Sequence, residues 1–422
     1  MFMKKLTAVI LGYGGRGSIY GDYAADLHPE SLQIVAIADP NEKRQRFAAE
    51  KHKADNPKIY NDWKEIAVQP KMADFAVIAT QDAMHLEQAL AMIEKGYHLL
   101  LEKPMATTPE DCKKIVEAAE KKGVKIIVCH VLRFTKFWYA IKEILDRGEI
   151  GDIVSVSHFE NVGNLHQAHS FVRGSWKNAA VSSPMILAKS CHDTDMLQWL
   201  IGKECKKVQS FGSLTHFCKE NQPKGAPRRC SDGCPHAETC VYNAEKIYLD
   251  DSLWYKGYSF GKMADEEILE ELKTSRYGVC VYDADNDVVD HQVVNMEFEG
   301  GITASFSMNG FNEGGRYIHI FGTKGELHAI MGEATIDVYS FETRKHTLYE
   351  LAKIGEHINA GHGGGDIGIM NDAMKYFNGE PASKAICSAR TSYISHLIAF
   401  AAEESRLTGK VIDLEKYSEN LL

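Results

Sequence analysis

The stretch LTAVILGYGGRG, residues 6–17, decides the fold of the first part of the chain. It joins an apolar run to the glycine pattern G-x-G-x-x-G, and the residues after it have the character of a helix. In such a strand–turn–helix unit Gly12 permits the tight turn, Gly14 lets a pyrophosphate approach the backbone, and Gly17 lets helix and strand pack closely. A second apolar run ends in Asp39, about 20 residues further on, where a carboxylate accepts hydrogen bonds from ribose hydroxyls. These residues predict a dinucleotide-binding site.

The other residues of the turn, Gly15 and Arg16, begin the predicted helix, whose free N–H groups and positive potential favour phosphate. The charge of Asp39 repels a 2′-phosphate and therefore favours NAD over NADP as the cofactor. Three basic residues that follow could reverse this preference: Lys43, Arg44 and Arg46. A glycine turn in an α/β domain that binds no nucleotide is the alternative interpretation.

Short apolar runs alternate with amphipathic segments from about residue 5 to residue 130. The runs are rich in Val, Ile and Leu without period-two alternation, as expected for strands covered on both faces. They are Leu6–Leu11, Leu32–Ala38, Phe75–Ala79, Leu99–Leu101 and Val124–Val128. Pro109–Lys122 has helical periodicity, with Thr108 at the N-cap and Gly123 beyond the last turn. We therefore predict an α/β fold whose first domain, residues 1–133, is a Rossmann-type, doubly wound parallel sheet.

Composition narrows the class of function. The 422 residues include 58 acidic and 48 basic side chains, a formal net charge of −10, and no long Lys/Arg run. Neither a nucleic acid nor a membrane is therefore an expected partner. Ten cysteines are too sparse for a disulfide scaffold, and no apolar run is long enough for a transmembrane helix. We expect a cytoplasmic protein that acts on a small molecule.

Two other predicted strands end in polar residues. Thr80 follows one strand, with His85 in the next helix, and another strand leads into Glu102-Lys103-Pro104. Because ligands of open α/β sheets bind at the carboxyl ends of the strands, Thr80, His85, Glu102 and Lys103 are expected to face the cofactor. Together with the glycine pattern, the Glu-Lys-Pro tripeptide resembles the Gfo/Idh/MocA family (glucose–fructose oxidoreductase, inositol dehydrogenase, rhizopine catabolism).

This resemblance spans most of the chain. It implies a second domain, residues 134–422, of α+β type with a large open mixed sheet, whose exposed face pairs subunits into a homodimer or homotetramer. Strand-like apolar patterns agree with such a sheet at Val208–Phe217, Val289–Phe298, Ile302–Asn309, Tyr317–Phe321 and Thr335–Phe341. The resemblance also implies an NAD(P)-dependent oxidoreductase acting on a secondary hydroxyl of a sugar, an inositol or a sugar derivative.

The resemblance places Lys103 beside the nicotinamide and the reacting hydroxyl, and Glu102 where it orients Lys103 or touches the nicotinamide ribose. Oxidation of an alcohol releases a hydride and a proton, and nicotinamide takes only the hydride, so a base or proton relay is required. His192, at the first turn of a helix predicted over residues 190–200, matches a family histidine at the same hydroxyl. Arg133 resembles a family arginine near the nicotinamide, and a hinge salt bridge would explain it equally well.

The residues before His192 depart from the family pattern. Many members have an aspartate four residues before this histidine, where this chain has Ala188. The neighbouring Lys189 could bind an anionic group of the substrate, or it could lie at the surface.

Rings and polar groups are frequent over residues 158–178, a composition that suits sugars, because sugar C–H faces stack on rings and sugar hydroxyls need polar partners. The glycine-rich segment 359–366 is similar in character. The substrate-contact candidates from both segments are His166, His169, Trp176 and His362. A histidine-rich surface loop is the alternative.

A cysteine cluster stands in a segment, about residues 217–285, that we interpret as an insertion. Clustered cysteines in a reducing compartment predict a structural zinc ion with four thiolate or imidazole ligands. The predicted ligands are Cys230, Cys234, Cys240 and Cys280. Cys218 and His236 are the next candidates for the fourth position, and reduced cysteines without a metal are the alternative.

Two other functions remain open from the sequence. A glycosidase with tightly held NAD would oxidise a glycoside, eliminate the aglycone and return the hydride, and Ala188 is compatible with such altered chemistry. A non-catalytic NAD-binding sensor would retain the glycine turn, but the intact Glu102-Lys103-Pro104 argues against it.

Overall fold

A computed structural model describes residues 4–351 and 361–421 of the chain. The strands of the first sheet are β1 (Leu6–Leu11), β2 (Leu32–Ala38), β3 (Lys58–Tyr60), β4 (Phe75–Ile78), β5 (His98–Leu101) and β6 (Ile126–Val128). All six are parallel, in the order β3-β2-β1-β4-β5-β6, which is the strand order of dinucleotide-binding Rossmann folds. The predicted doubly wound parallel sheet is therefore confirmed.

The crossover helices of this sheet are α1 (Gly15–Asp22), α2 (Glu42–Lys51), α3 (Trp63–Ala67), α4 (His85–Glu94) and α5 (Pro109–Lys122). The bounds of α5 follow from its local sequence. The Thr108 side chain accepts a hydrogen bond from the N–H of Asp111, and Gly123 ends the helix in the left-handed conformation. The face that packs into the core is the predicted one: Cys112, Ile115, Val116 and Ala119.

The second sheet has nine strands. They are β7 (Ile153–Asn161), β8 (Cys205–Ser213), β9 (His291–Phe298), β10 (Thr303–Asn309), β11 (Gly315–Gly322), β12 (Gly325–Ile330), β13 (Thr335–Ser340), β14 (Lys345–Glu350) and β15 (Ile412–Asp413). Their order is β14-β13-β12-β11-β7-β10-β9-β8-β15, with β7 and β10 parallel and the other neighbours antiparallel. This arrangement confirms the expected large mixed sheet.

The central strand β7 does not follow from the apolar pattern. Its alternate residues Val156, His158 and Glu160 are buried, but two of these three are polar. The period-two signal of a half-buried strand is therefore hidden in the sequence.

The remaining helices carry the connections of the second domain. They are α6 (Lys136–Asp146), α7 (Asn164–His166), α8 (Met185–Ala188), α9 (Cys191–Ile201), α10 (Ala244–Tyr248), α11 (Trp254–Phe260), α12 (Asp265–Leu272), α13 (Gly365–Phe377), α14 (Ala389–Thr408) and α15 (Leu414–Glu419). α13 returns to the first domain, where Ile369 and Met370 pack in one core cluster with Leu6 and Ile10 of β1. No helix in residues 4–351 or 361–421 has the length and apolar character needed to cross a bilayer.

Arg133 joins the first domain to α9. Its Nε and Nη2 each donate a hydrogen bond of 2.7 Å to the carboxylate of Asp195, and its guanidinium lies over the ring of Trp199. Both charged side chains are buried. The carboxylate binds two N–H groups of the guanidinium, which is the arrangement expected of the hinge salt bridge, and the contact of Arg133 with the cofactor stays a prediction.

Removing the carboxylate of this pair should destabilise the protein strongly. In Asp195→Ala the buried Arg133 guanidinium keeps its charge without its partner, at a cost of about 3–5 kcal/mol. We expect a large fall in Tm, measured by thermal unfolding. The double variant Arg133→Met/Asp195→Leu removes both charges and should recover most of the loss. An equal loss in the single and double variants would contradict this role for the ion pair.

Candidate active site

The glycine turn between β1 and α1 has no room for side chains. A Cβ atom at Gly12 would lie 2.6 Å from the carbonyl oxygen of Ala79, and one at Gly17 would lie 1.9 Å from the carbonyl oxygen of Gly12. α1 begins after Gly14 without a side-chain cap. The N–H groups of its first turn are therefore available to a phosphate, and the turn fits the pyrophosphate of a dinucleotide.

The backbone holds Asp39 at the end of β2. Its Oδ2 accepts the N–H of Tyr13 and its Oδ1 accepts the N–H of Asn41, both at 2.8 Å. Arg44 lies next to it, with Nη1 3.6 Å from Asp39 Oδ2 and 3.5 Å from the place of a Cβ at Gly14. A carboxylate and a guanidinium thus stand side by side where this fold receives the adenosine ribose.

Arg16 belongs to an ion cluster at the start of α1. Its Nε donates to Oε1 of Glu102 at 2.5 Å, and its Nη2 donates to Oδ1 of Asp366 at 2.7 Å. The Tyr20 hydroxyl donates to the same oxygen of Glu102. Burial alone would raise the pKa of Glu102, but the charge of Arg16 and these hydrogen bonds lower it overall. The second oxygen, Oε2, accepts the N–H of Lys103 at 3.1 Å, so Glu102 orients the backbone of Lys103.

Lys103 reaches from β5 to the second domain. Its Nζ donates a hydrogen bond of 2.8 Å to the carbonyl oxygen of Ala188, at the end of α8. The backbone of Ala188, where the family resemblance implies an aspartate, thus supplies an acceptor oxygen for the ammonium. The contact also places the ammonium beside the start of α9.

His85 was predicted to face the cofactor, but the structure places it below the Lys103 loop. It is fully buried, and its Nδ1 lies 2.8 Å from the carbonyl oxygen of Pro104, which follows Lys103 through a cis peptide bond. His85 therefore supports this loop, and its placement does not favour a direct contact with the cofactor.

His192 lies at the first turn of α9, as predicted, and is 5% exposed. Its ring meets the ring of His130 edge to face, with centroids 5.7 Å apart. Behind it, Nε2 of His130 lies 3.0 Å from the hydroxyl of Ser392, which lies 3.2 Å from Nδ1 of His396. Burial lowers the pKa of His130 to about 4 and that of His396 to about 3, so both are neutral at neutral pH. The ring of His192 thus packs on His130, which is itself held by Ser392 and His396, and the two supporting histidines are neutral.

Lys189 is part of a chain of ion pairs. Its Nζ lies 3.2 Å from Oε1 of Glu160, whose Oε2 lies 2.5 Å from Nε of Arg316, which also donates to Asp193 at 2.8 Å. Burial lowers the pKa of Lys189, the charge of Glu160 opposes this shift, and the charges of Arg316 and Lys103 add to it. Lys189 is therefore not a surface lysine, and it is close enough to Lys103 for their charges to interact.

His166 lies within reach of the same charges. Burial holds its pKa well below the usual range, and the charges of Lys189, Arg316 and Lys103 lower it further. Its ring meets Trp254 edge to face at 5.3 Å. A neutral imidazole beside two lysines is consistent with the predicted substrate contact, which stays a prediction.

His169 serves packing rather than the pocket. It is 2% exposed, and its Nδ1 lies 2.9 Å from the hydroxyl of Tyr248. Burial lowers its pKa to about 4. Its ring contacts the rings of Tyr248, Trp254, Tyr255, Tyr258 and Tyr277. The predicted direct contact of His169 with the substrate is therefore not supported.

Three predicted contact residues remain: Thr80, Trp176 and His362. Thr80 packs against the glycine turn, since its Cγ2 lies 2.9 Å from the place of a Cβ at Gly12. The indole N–H of Trp176 donates to Asp82 across the domain boundary at 3.4 Å. The side chain of His362 lies outside the described residues.

The structure does not support the predicted zinc site. One small cavity is lined by His236 and by the four predicted ligands Cys230, Cys234, Cys240 and Cys280. Tetrahedral Zn–S bonds of about 2.3 Å would bring the sulfur atoms to roughly 3.8 Å from one another. Within the described part of the chain, no three of these donor atoms lie within 4.8 Å of one another. Sγ of Cys230 instead accepts hydrogen bonds from Ala244 N–H and Arg173.

Sequence reasoning missed two residues of the pocket, Glu160 and Arg316. They come from β7 and β11, where they are register partners, but they are far apart along the chain. One signal was present: each is a charged residue at a strand position, where a charge is uncommon unless it is paired.

Two family models match the chain. One, described as the oxidoreductase family, NAD-binding Rossmann fold, matches residues 6–130. The other, described as the oxidoreductase family, C-terminal alpha/beta domain, matches residues 142–363.

Curated relatives match between about a third and four fifths of the chain. YteT of Bacillus subtilis, provisionally named as an oxidoreductase, is 26% identical over 362 residues, which are 81% of each chain. An inositol 2-dehydrogenase of Salmonella typhimurium is 27% identical over 49% of this chain and 57% of its own length. The scyllo-inositol 2-dehydrogenase (NADP(+)) IolW of Bacillus subtilis is 31% identical over 34% of this chain and 38% of its own length.

Solved structures share the fold. A levoglucosan dehydrogenase in complex with NADH and levoglucosan has a TM-score of 0.71 at 18% identity, over 97% of this chain and 100% of that chain. An oxidoreductase from Agrobacterium radiobacter in complex with NAD+, L-tartaric acid and magnesium has a TM-score of 0.68 at 15% identity, over 98% and 100%. Since the family models cover both domains, the chain belongs to the Gfo/Idh/MocA family of NAD-binding oxidoreductases.

Proposed function

We propose that the protein oxidises a secondary hydroxyl of a sugar, an inositol or a related polyol, with Lys103 and His192 handling the proton. One observation carries this proposal: Lys103 lies at the carboxyl edge of the first sheet, where Glu102 accepts its backbone N–H and the carbonyl of Ala188 accepts a hydrogen bond from its ammonium. That edge is also where the glycine turn receives a dinucleotide. Inositol and levoglucosan dehydrogenases among the relatives support the substrate class.

The bound cofactor would supply the hydride acceptor, and the residues of the chain would supply the rest of the chemistry. Lys103 is held by a neutral carbonyl, so it can exchange a proton with a substrate hydroxyl without breaking an ion pair at that contact. His192 stands at the start of the next helix as relay or hydrogen-bond partner. The carboxylate of Glu102 is committed to Arg16 and Tyr20, which leaves it a positioning role.

The pocket beside Lys103 offers the polar and aromatic groups that a polyol requires. Lys189 and Glu160 form a donor–acceptor pair, His166 is a neutral imidazole, and Trp254 is half exposed. Sugar hydroxyls can exchange hydrogen bonds with the first three groups, and a sugar C–H face can stack on the indole.

Lys103→Met should remove turnover and leave nucleotide binding intact. Methionine keeps most of the side-chain volume but cannot exchange a proton, and a positioned acid–base group contributes about 10²–10⁴-fold to the rate. Turnover is measured as NADH absorbance across a panel of polyols, sugars and aryl glycosides, and binding is measured as NADH fluorescence. Lys121→Met, at an exposed lysine of α5, is the matched control. Retained activity in Lys103→Met would refute the proposal.

The same panel separates the dehydrogenase from the NAD-retaining glycosidase. A dehydrogenase accumulates NADH and releases no aglycone, whereas the glycosidase releases aglycone without net NADH. Substrate-dependent reduction of NAD would exclude a non-catalytic sensor.

We further propose that NAD is preferred over NADP. The buried carboxylate of Asp39 lies where the ribose hydroxyls would bind, and its charge disfavours a 2′-phosphate. The exposed neighbour Arg44 is the group that could accept that phosphate.

Asp39→Ser should therefore shift the ratio of kcat/KM for NAD over NADP by about tenfold or more toward NADP. A hydrogen bond to a charged group contributes about 1.5–3 kcal/mol, and its loss weakens NAD. Steady-state kinetics with both nucleotides measure the ratio. Adding Arg44→Ala to this variant should remove the gain for NADP, and an unchanged ratio in Asp39→Ser would contradict the assignment.

A further inference from the structure

Helix α11 of the insertion has one anchored face and one bare aromatic face. Tyr255 and Phe260 are buried in a small core with residues of α10 and α12. Trp254 and Tyr258 are four residues apart, so they lie on the same side of the helix, and they are 50% and 52% exposed. Two large rings are thus half exposed on a helix whose opposite face is packed in a core.

Tyr258 lies directly on the glycine turn. A Cβ atom at Gly15 would lie 2.8 Å from Cε2 of Tyr258. Burial raises the pKa of Tyr258, and the charged groups that act on its hydroxyl include Arg44, Arg16 and Glu102. The contact at Gly15 places the ring of Tyr258 against the glycine turn at the start of α1, and the action of these three charges on its hydroxyl agrees with that place.

Trp254 extends the same aromatic face toward the pocket. Its indole contacts the ring of His166 at 5.3 Å and the ring of Tyr258 at 5.5 Å, both edge to face. His169 contacts both rings of α11 from behind, at 5.3 Å and 5.9 Å. The two rings thus form a continuous wall from the glycine turn to the predicted substrate site.

We propose that α11 is a clamp on the bound dinucleotide, in which Tyr258 covers the pyrophosphate turn and Trp254 covers the passage toward the substrate pocket. The proposal rests on the dinucleotide site but not on the identity of the substrate. A nucleotide seated in the turn can leave only if these rings move away from Gly15 and His166. The clamp therefore slows the release of NADH, which must leave after each turnover before a new NAD molecule can bind.

The experiment measures dissociation of NADH from the full-length protein. Fluorescent NADH is bound and then displaced with excess NAD in a stopped-flow instrument. Tyr258→Ala should raise the dissociation rate about tenfold, the change expected when one buried aromatic contact is lost. Tyr258→Phe keeps the ring and should restore a rate within about twofold of the original protein. Phe341→Ala, which removes an equally exposed ring outside the cleft, should leave the rate unchanged.

An unchanged dissociation rate in Tyr258→Ala, or an equal rise in Phe341→Ala, would overturn the clamp. Equal rises in Tyr258→Ala and Tyr258→Phe would also overturn it, because the ring would then not be the cause. Failure of the proposed dehydrogenase activity is distinguishable, since it concerns turnover and leaves the NADH dissociation rates as they are. Thermal unfolding of each variant checks that a faster release does not arise from loss of the fold.

Discussion

The steric constraint at the glycine turn is the feature on which the site depends. The carbonyl oxygens of Ala79 and Gly12 stand where the side chains of residues 12 and 17 would be, so β1 and α1 approach each other with backbone alone. That approach brings the start of α1 to the carboxyl edge of the sheet. Arg16, in the first turn, then reaches Glu102 at the end of β5. The geometry that admits a pyrophosphate therefore also sets the residue that orients Lys103.

Lys103 connects the first domain to the second through a hydrogen bond. Its ammonium binds the carbonyl of Ala188 just before α9, and α9 is tied back to the first domain by the ion pair of Asp195 and Arg133. These two contacts hold the start of α9, and hence His192, against the edge of the first sheet. The candidate acid–base groups come from different domains, and their relative position depends on a hydrogen bond and a buried ion pair rather than on chain connectivity.

The features of the fold that depend on neighbouring residues could be predicted from the sequence. The parallel sheet, the bounds of α5, the glycine turn and the place of His192 all follow from short-range patterns of apolar spacing, capping and glycine. Contacts made by tertiary packing do not follow: His85 and His169 were expected to contact ligands, and the structure shows both buried, beside the carbonyl of Pro104 and the hydroxyl of Tyr248. The zinc prediction is not supported for a similar reason. Proximity in sequence brings the cysteine side chains to one cavity, but within the described residues it does not bring the sulfur atoms to coordination distances.

Ala188, at the position where the family resemblance implies an aspartate, lies among polar contacts made by other residues of the pocket. The carbonyl of Ala188 accepts a hydrogen bond from Lys103, and Glu160 on β7 supplies a carboxylate to the neighbouring Lys189. Arg316, the register partner of Glu160, fixes that carboxylate from the other side. The Glu160 carboxylate is thus held between two cations, Lys189 on one side and Arg316 on the other. This arrangement agrees with the proposal that Lys103 and His192 handle the proton, and it leaves Glu160 and Lys189 as candidate partners for the hydroxyls of the substrate.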